Sequence, residues 1–177
     1  MKNALKHLKL ITRHKLLVFY YCIKAGIPWR GFMHDWSKYS PTEFLESIKY
    51  YTGHSSPIDE AKKDKGYSEA WQHHKGLNPH HYEYWVDNLD KGGIPLLIPY
   101  KYVMEMCCDI IAANKIYGGK EWTSQMLLDY WNKQKDTRKL HPAIRDFQTE
   151  LFESFAKEGL KVLKKKNTKA LYKKYVK

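Results

Sequence analysis

Apolar residues recur along this chain at intervals of three and four, not two. Between residues 3 and 25 they fall at Leu5, Leu8, Ile11, Leu16, Val18, Phe19 and Ile23, a spacing that lines one face of an α-helix. Gly26 and Pro28 are expected to end it. A short helical turn is predicted at "GFMHDWSK" (31–38). "SPTE" then reads as a helix start, with Ser40 as N-cap, Pro41 at the first position and Glu43 closing a capping box. That helix should run to about Tyr51, and "TGHSSP" should be a loop. Residues 58–76 read as one helix frayed at Gly66. Pro79 is expected to open another over 80–90, and "KGGIPLLIP" connects onward. Residues 100–117 form a helix with Val103, Met104, Ile110 and Ile111 on its buried side, stopped by Gly118 and Gly119. Residues 121–134 and 141–166 give two more, and a basic segment follows at 168–177. No alternating strand pattern and no repeat occurs. The expectation is an all-α fold: one helical bundle of about seven to eight helices over 1–177, with 157–177 as a basic helical tail.

Composition adds a core and limits the setting. Of 177 residues, 43% are hydrophobic and 15% aromatic, which suits a folded globule and excludes a disordered chain. No stretch approaches the roughly 20 apolar residues that span a bilayer, so no membrane partner is expected. "LLVFYYCI" (16–23) is too short and lacks a cleavage site, so no signal peptide is read there. Three cysteines, Cys22, Cys107 and Cys108, are an odd number without CxxC spacing. They read as small buried hydrophobes in a reducing compartment, which points to the cytoplasm. The net charge of +12 suits an anionic partner: a nucleotide, a nucleic acid or a phosphorylated metabolite. Part of that excess lies in the C-terminal tail.

The chemistry concentrates in the histidines. Five of the nine fall between 54 and 81, and two pairs frame "HHKGLNPHH" at a helix junction, where side chains from two helix ends can converge. His34 and Asp35 are adjacent. His14 precedes an apolar run. Glu105 and Asp109, four apart on one helical face, lie among Met104, Met106, Cys107, Cys108, Ile110 and Ile111, where a carboxylate is costly to bury unless a positive group meets it. Imidazoles and carboxylates together suit transition metals.

The order His14, then His34-Asp35, then histidines near 74–81, then Asp109 resembles the HD-domain superfamily of metal-dependent phosphohydrolases. "HDWSK" is similar to the HD-x-G-K signature of its HD-GYP branch, with Ser37 in place of the glycine and Lys38 in place of that branch's lysine. The chain also looks like a smaller HD-like group sharing "HD-x-S-K", "N-P-H-H" and "E-M-x-x-D". The resemblance covers roughly residues 10–117. It implies that His14, His34, Asp35 and Asp109 hold one metal, and that Asp35 bridges to a second held by His74, His80 and His81, with His73 next in line and His54 as an alternative. Two divalent ions (Fe, Mn, Zn, Ni or Co) would serve it. The GYP segment is missing, so specificity for a cyclic dinucleotide is not implied.

On this reading Lys38 reaches a phosphate or neutralises transition-state charge, although a solvated lysine is the plainer assignment. Glu105 accepts a hydrogen bond from a ligand histidine, carries a proton, or pairs with Lys101 on the surface. Asn78 caps a helix or touches substrate, while His7, His54 and His141 read as surface residues. The expected activity is hydrolysis of a nucleotide or related phosphate ester. Two alternatives stand beside it: a basic nucleic-acid-binding protein with a structural or remnant metal site, and a di-iron oxygenase of the HD superfamily. Exposed aromatics could support a dimer.

Overall fold

The computed structural model describes residues 2–176. The chain is all-α. Among the described residues there are nine α-helices: α1 Lys2–Lys24, α2 Pro28–Met33, α3 Pro41–Lys49, α4 Pro57–Lys65, α5 Glu69–Leu77, α6 Tyr100–Gly118, α7 Ser124–Gln134, α8 Pro142–Glu158 and α9 Lys165–Tyr175. Short 3-10 turns join several of them, and one two-residue antiparallel pair, Val86–Asp87 against Ile94–Pro95, interrupts the pattern.

The differences from the expected count have local causes. Pro28 does not merely end α1; it occupies the first turn of α2, where its missing N–H costs nothing. The predicted helix over 58–76 breaks at Gly66, whose φ of 80° caps α4 in the left-handed region that glycine enters freely. Ser68 then starts α5 by accepting from the Trp71 N–H at 3.0 Å. The helix expected after Pro79 does not form. His81 and Tyr84 make i→i+3 turns instead, the Trp85 indole donates to the Pro79 carbonyl at 2.7 Å, and a hairpin turn with Asn88 at φ 49° follows. The predicted helix 141–166 ends at Glu158, because Gly159 turns the chain into the 3-10 segment Gly159–Leu163.

The core gathers around α6, which is buried on nearly every side: Val103, Met104, Cys107, Cys108, Ile111 and Ala112 are fully enclosed. Trp131 of α7, and Ile144, Phe147, Leu151 and Phe152 of α8, close over it. The three cysteines are free and buried, as expected of small hydrophobes. The basic tail folds back. The Tyr172 hydroxyl donates to the Ile98 carbonyl at 2.8 Å, Tyr100 and Thr168 share a 2.7 Å hydrogen bond, and Leu163 is fully buried. Lys177, the last residue of the predicted tail, lies outside the described residues.

α1 corrects the apolar pattern most. Its buried stripe is His7, Ile11, His14, Val18, Tyr21 and Cys22, while Leu5, Leu8, Leu16 and Ile23 face outward. The helix carries two apolar stripes, and the one containing histidines meets α6.

α2 crosses this buried side so closely that a Cβ on Gly31 would lie 2.6 Å from the Cys22 Cβ and 3.0 Å from the Phe19 Cα. Gly31→Ala is therefore expected to cost about 1–3 kcal/mol through forced separation of α1 and α2. Gly76→Ala, where a Cβ meets nothing within 4 Å, should be neutral or mildly stabilising. Urea midpoints of the two variants check this; equal midpoints would contradict it.

Candidate metal centre

Adjacent residues on a helix diverge by about 100°, so a helical "HD" pair could not serve one point. The backbone here solves that locally. His34 caps α2 with φ −58° and ψ 129°, and Asp35 takes a left-handed φ of 54°, a conformation that aspartate tolerates better than most residues. The chain thus reverses between the two, and both side chains are buried. Lys15 of α1 fixes the reversal by donating to the Phe32 carbonyl at 2.8 Å and the His34 carbonyl at 2.5 Å. The 3-10 turn Trp36–Tyr39 brings Lys38 Nζ to 2.6 Å from Asp35 Oδ2.

Asp35 is the meeting point of two groups. On one side, His34 Nε2 lies 3.2 Å from Asp35 Oδ2 and His14 Nε2 lies 3.9 Å from it. His14 Nε2 is also 2.9 Å from Asp109 Oδ1. On the other side, His74 Nε2 and His80 Nε2 lie 3.2 and 3.3 Å from Asp35 Oδ1. The ligand atoms of Asp35, His74, His80 and His81 fall within 4.8 Å of one another, and so do those of His14, His34 and Asp35. His34, His80 and Asp109 form a third such group.

A ring of carboxylates orients the histidines from behind. His34 Nδ1 donates to Glu105 Oε1 at 3.2 Å, and His80 Nδ1 lies 3.3 Å from the same oxygen. Arg30 Nε holds the other Glu105 oxygen at 2.6 Å. His74 Nδ1 donates to Glu43 Oε2, and His73 Nδ1 to Glu43 Oε1, both at 2.7 Å. Asn78 donates to the Ser37 hydroxyl and to the His74 carbonyl, each at 2.8 Å. With Nδ1 of His34 and His74 committed outward, their Nε2 atoms, and that of His80, turn toward Asp35, the orientation a metal-ligating imidazole takes when a carboxylate sits behind it.

The chain matches the model of a family of unknown function, DUF5662, over residues 3–154. It belongs to that family. No curated protein and no solved structure matches it. The match to DUF5662 spans every residue from His14 to Asp109 and stops within α8, before α9.

Electrostatics tests whether these residues fit a cation. Among the described residues, two of the four carboxylates (Asp35, Glu43, Glu105 and Asp109) form ion pairs with permanent cations, Glu105 with Arg30 and Asp35 with Lys38. Both oxygens of Asp35, and Nε2 of His74, His80 and His81, are buried without a hydrogen-bond partner. In neutral rings whose Nδ1 carries the hydrogen, these Nε2 lone pairs face carboxylate lone pairs, an arrangement that repels unless a positive charge lies between. Protonation answers the same demand. Burial opposes charge on His34, but Asp35, Asp109 and Glu105 hold its pKa well above the ordinary value. His74 is raised against burial by Asp35 and Glu43. Burial dominates at His14 and His81 and lowers both. Against their own burial, Asp35 is held well below the usual carboxylate range by His34, Lys38 and His74, and Asp109 by His14 and His34. The donor set fits divalent transition metals.

All seven predicted ligands in this DUF5662 chain converge, with Lys38 and Glu105 beside them. His73 instead supports Glu43, and His54 is exposed at the cavity wall. Glu105 pairs with Arg30, not Lys101. Only half of the expected capping box forms: the Glu43 N–H donates to Ser40 Oγ at 3.4 Å, but the Glu43 carboxylate goes to the histidines. His7, expected on the surface, is buried against Phe44 and Tyr51. Arg30 and Lys15 were not legible, since each works through an atom far away in sequence. The centre opens on a cavity of about 790 Å³, reached by His14, Lys38, His74, His81 and Asp109, with Trp71, Tyr82, Tyr117 and Tyr130 in its walls.

The buried carboxylates make the protein acid-sensitive. Histidine contacts depress Glu105 from an ordinary 4.5 to about 2 despite burial. A depressed folded-state pKa contributes stability above the unfolded value and loses it as pH falls through the folded value. Metal-free Glu105→Gln should therefore be less stable than wild type at neutral pH. Its stability should also fall less steeply with acid between pH 4.5 and 2. Thermal melts across that range check this, and parallel curves would contradict it.

Proposed function

We propose that this protein is a metal-dependent phosphohydrolase or phosphodiesterase of the HD type, acting on a nucleotide or related phosphate ester. One observation carries the reading. The two oxygens of a single buried carboxylate, Asp35, each face a separate group of histidines, next to a cavity that His14, His74, His81 and Asp109 line. Two metal ions would share it. His14, His34, Asp35 and Asp109 would hold one, and Asp35 with His74, His80 and His81 the other. Bound ions would supply Lewis acidity toward water and a phosphoryl oxygen.

The chain's own residues do the remainder. Glu105 and Glu43 keep the Nδ1 protons of His34 and His74 outward, so that their Nε2 atoms stay available. Arg30 fixes the other Glu105 oxygen at 2.6 Å. Lys38 reaches both Asp35 and the cavity, where its ammonium can meet a non-bridging phosphate oxygen as charge develops. The volume of about 790 Å³ falls within the usual range for small-molecule sites. Its tyrosine and tryptophan walls offer faces for a base.

Protein purified without an affinity metal should carry about two Fe, Mn, Zn, Ni or Co ions per chain. Asp35→Asn, which keeps a residue tolerant of the left-handed backbone, should lose them by elemental analysis. Lys38→Ala should keep the metal and lower turnover of an active phosphate ester by about a hundredfold. Metal-free wild type that cannot be reconstituted would refute the proposal. Iron-loaded protein that consumes dioxygen while leaving phosphate esters intact would assign the site to oxidation instead.

A further inference from the structure

Among the described residues, nothing covers the outward stripe of α1. Leu5 and Leu16 are 68% and 62% exposed, and Leu8 and Ile23 share their side. The stripe continues onto α2 and the following turn, where Trp29 is 69% exposed and Trp36 is 49% exposed. These aromatics form one run. Trp29 stacks on Phe32 with centroids 5.7 Å apart, Phe32 meets Trp36 edge-on at 6.1 Å, and Phe19 of α1 meets Phe32 at 6.5 Å. An apolar face of this extent on a chain of +12 net charge needs a reason.

Its charge is one-sided. No Asp or Glu precedes Asp35, whereas Lys2, Lys6, Lys9, Arg13 and Lys24 are all exposed on α1. Lys9 and Arg13 border the same shallow groove as Leu5, Leu8 and Leu16. The start of the basic C-terminal helix adds to this edge, because the Lys165 stem packs against Gly26, beside the turn that leads to Trp29.

We infer that this face docks on the surface of an anionic lipid bilayer. No helix among the described residues is long and apolar enough to cross a membrane, so the contact is peripheral; the short apolar runs, from which no membrane partner was expected, rule out a crossing and not a docking. Tryptophan and phenylalanine sit at the headgroup boundary, leucine and isoleucine reach the acyl region, and lysine and arginine on the rim meet lipid phosphates. Two copies pressed together through this face would oppose like charges. A nucleic acid would answer the cations and leave Leu5, Leu16 and Ile23 without a role. A bilayer answers both.

The test is flotation of the full chain with phosphatidylcholine vesicles, with and without phosphatidylglycerol, followed by intrinsic tryptophan fluorescence. Binding should require the anionic lipid, weaken with salt and shift tryptophan emission to the blue. Trp29→Ala with Trp36→Ala should bind at least about tenfold more weakly, with melting lowered only by loss of the Trp36 indole's hydrogen bond to the Phe32 carbonyl and its packing. Lys9→Glu with Arg13→Glu, which leaves every apolar contact in place, should also weaken binding. No flotation with anionic vesicles, or binding that both double variants retain, overturns the proposal. So does a dimer that Trp29→Ala with Trp36→Ala dissolves, or salt-sensitive binding to duplex DNA without binding to vesicles.

Discussion

The buried carboxylate of Asp35 is the constraint on which the rest of this structure depends. It is cut off from water, and what surrounds it is a set of imidazole Nε2 atoms and one lysine at ion-pair distance. Such a group is stable only if positive charge is delivered to it. Histidines reach it from four directions: α1 supplies His14, the end of α2 supplies His34, α5 supplies His74, and the turn after Pro79 supplies His80 and His81, while α6 sets Asp109 against His14. Glu105 and Glu43 then hold the histidines in the tautomer that keeps Nε2 turned inward. Local departures from regular helix serve the same end. The left-handed Asp35, the break at Gly66 and the lost helix after Pro79 each redirect the chain where a regular helix would point a ligand elsewhere.

Much of this was legible in the sequence, and what was not has physical reasons. Helix positions followed from periodicity and caps, and the residues that gather around Asp35 were singled out from residue type, order and family resemblance. The buried side of α1 was misread because counting apolar residues favours Leu5, Leu16 and Ile23, while the stripe that meets the core includes His7 and His14. Polar residues that must reach a buried centre are invisible to hydrophobic periodicity. Arg30, Glu43 and Lys15 were missed as site residues for a related reason. Each is an ordinary charged residue on a short helix or exposed face, and its importance lies in a partner far away in the chain, such as Glu105 for Arg30 at 2.6 Å. The helix predicted after Pro79 failed because the need to aim His80 inward and the turn-forming Asn88 and glycines outweighed its local propensity.

Membership of DUF5662 places the whole constellation, from His14 to Asp109, inside the stretch that matches the family. The basic C-terminal helix lies outside that stretch, yet packs on α6 and α8 through Thr168 and Tyr172. Site and surface are mechanically joined. The α2 segment that ends in His34 also carries Trp29 and Phe32, and Lys15 ties its C-terminal carbonyls to α1.

The most direct test of the central claim, that Asp35 bridges two ions, is an anomalous difference map from crystals grown with manganese. Two peaks on opposite sides of Asp35 are predicted, separated by about 3.5–4 Å. One should be bounded by His14, His34 and Asp109, the other by His74, His80 and His81. A single peak away from Asp35, or none in crystals grown with saturating manganese, would contradict the account.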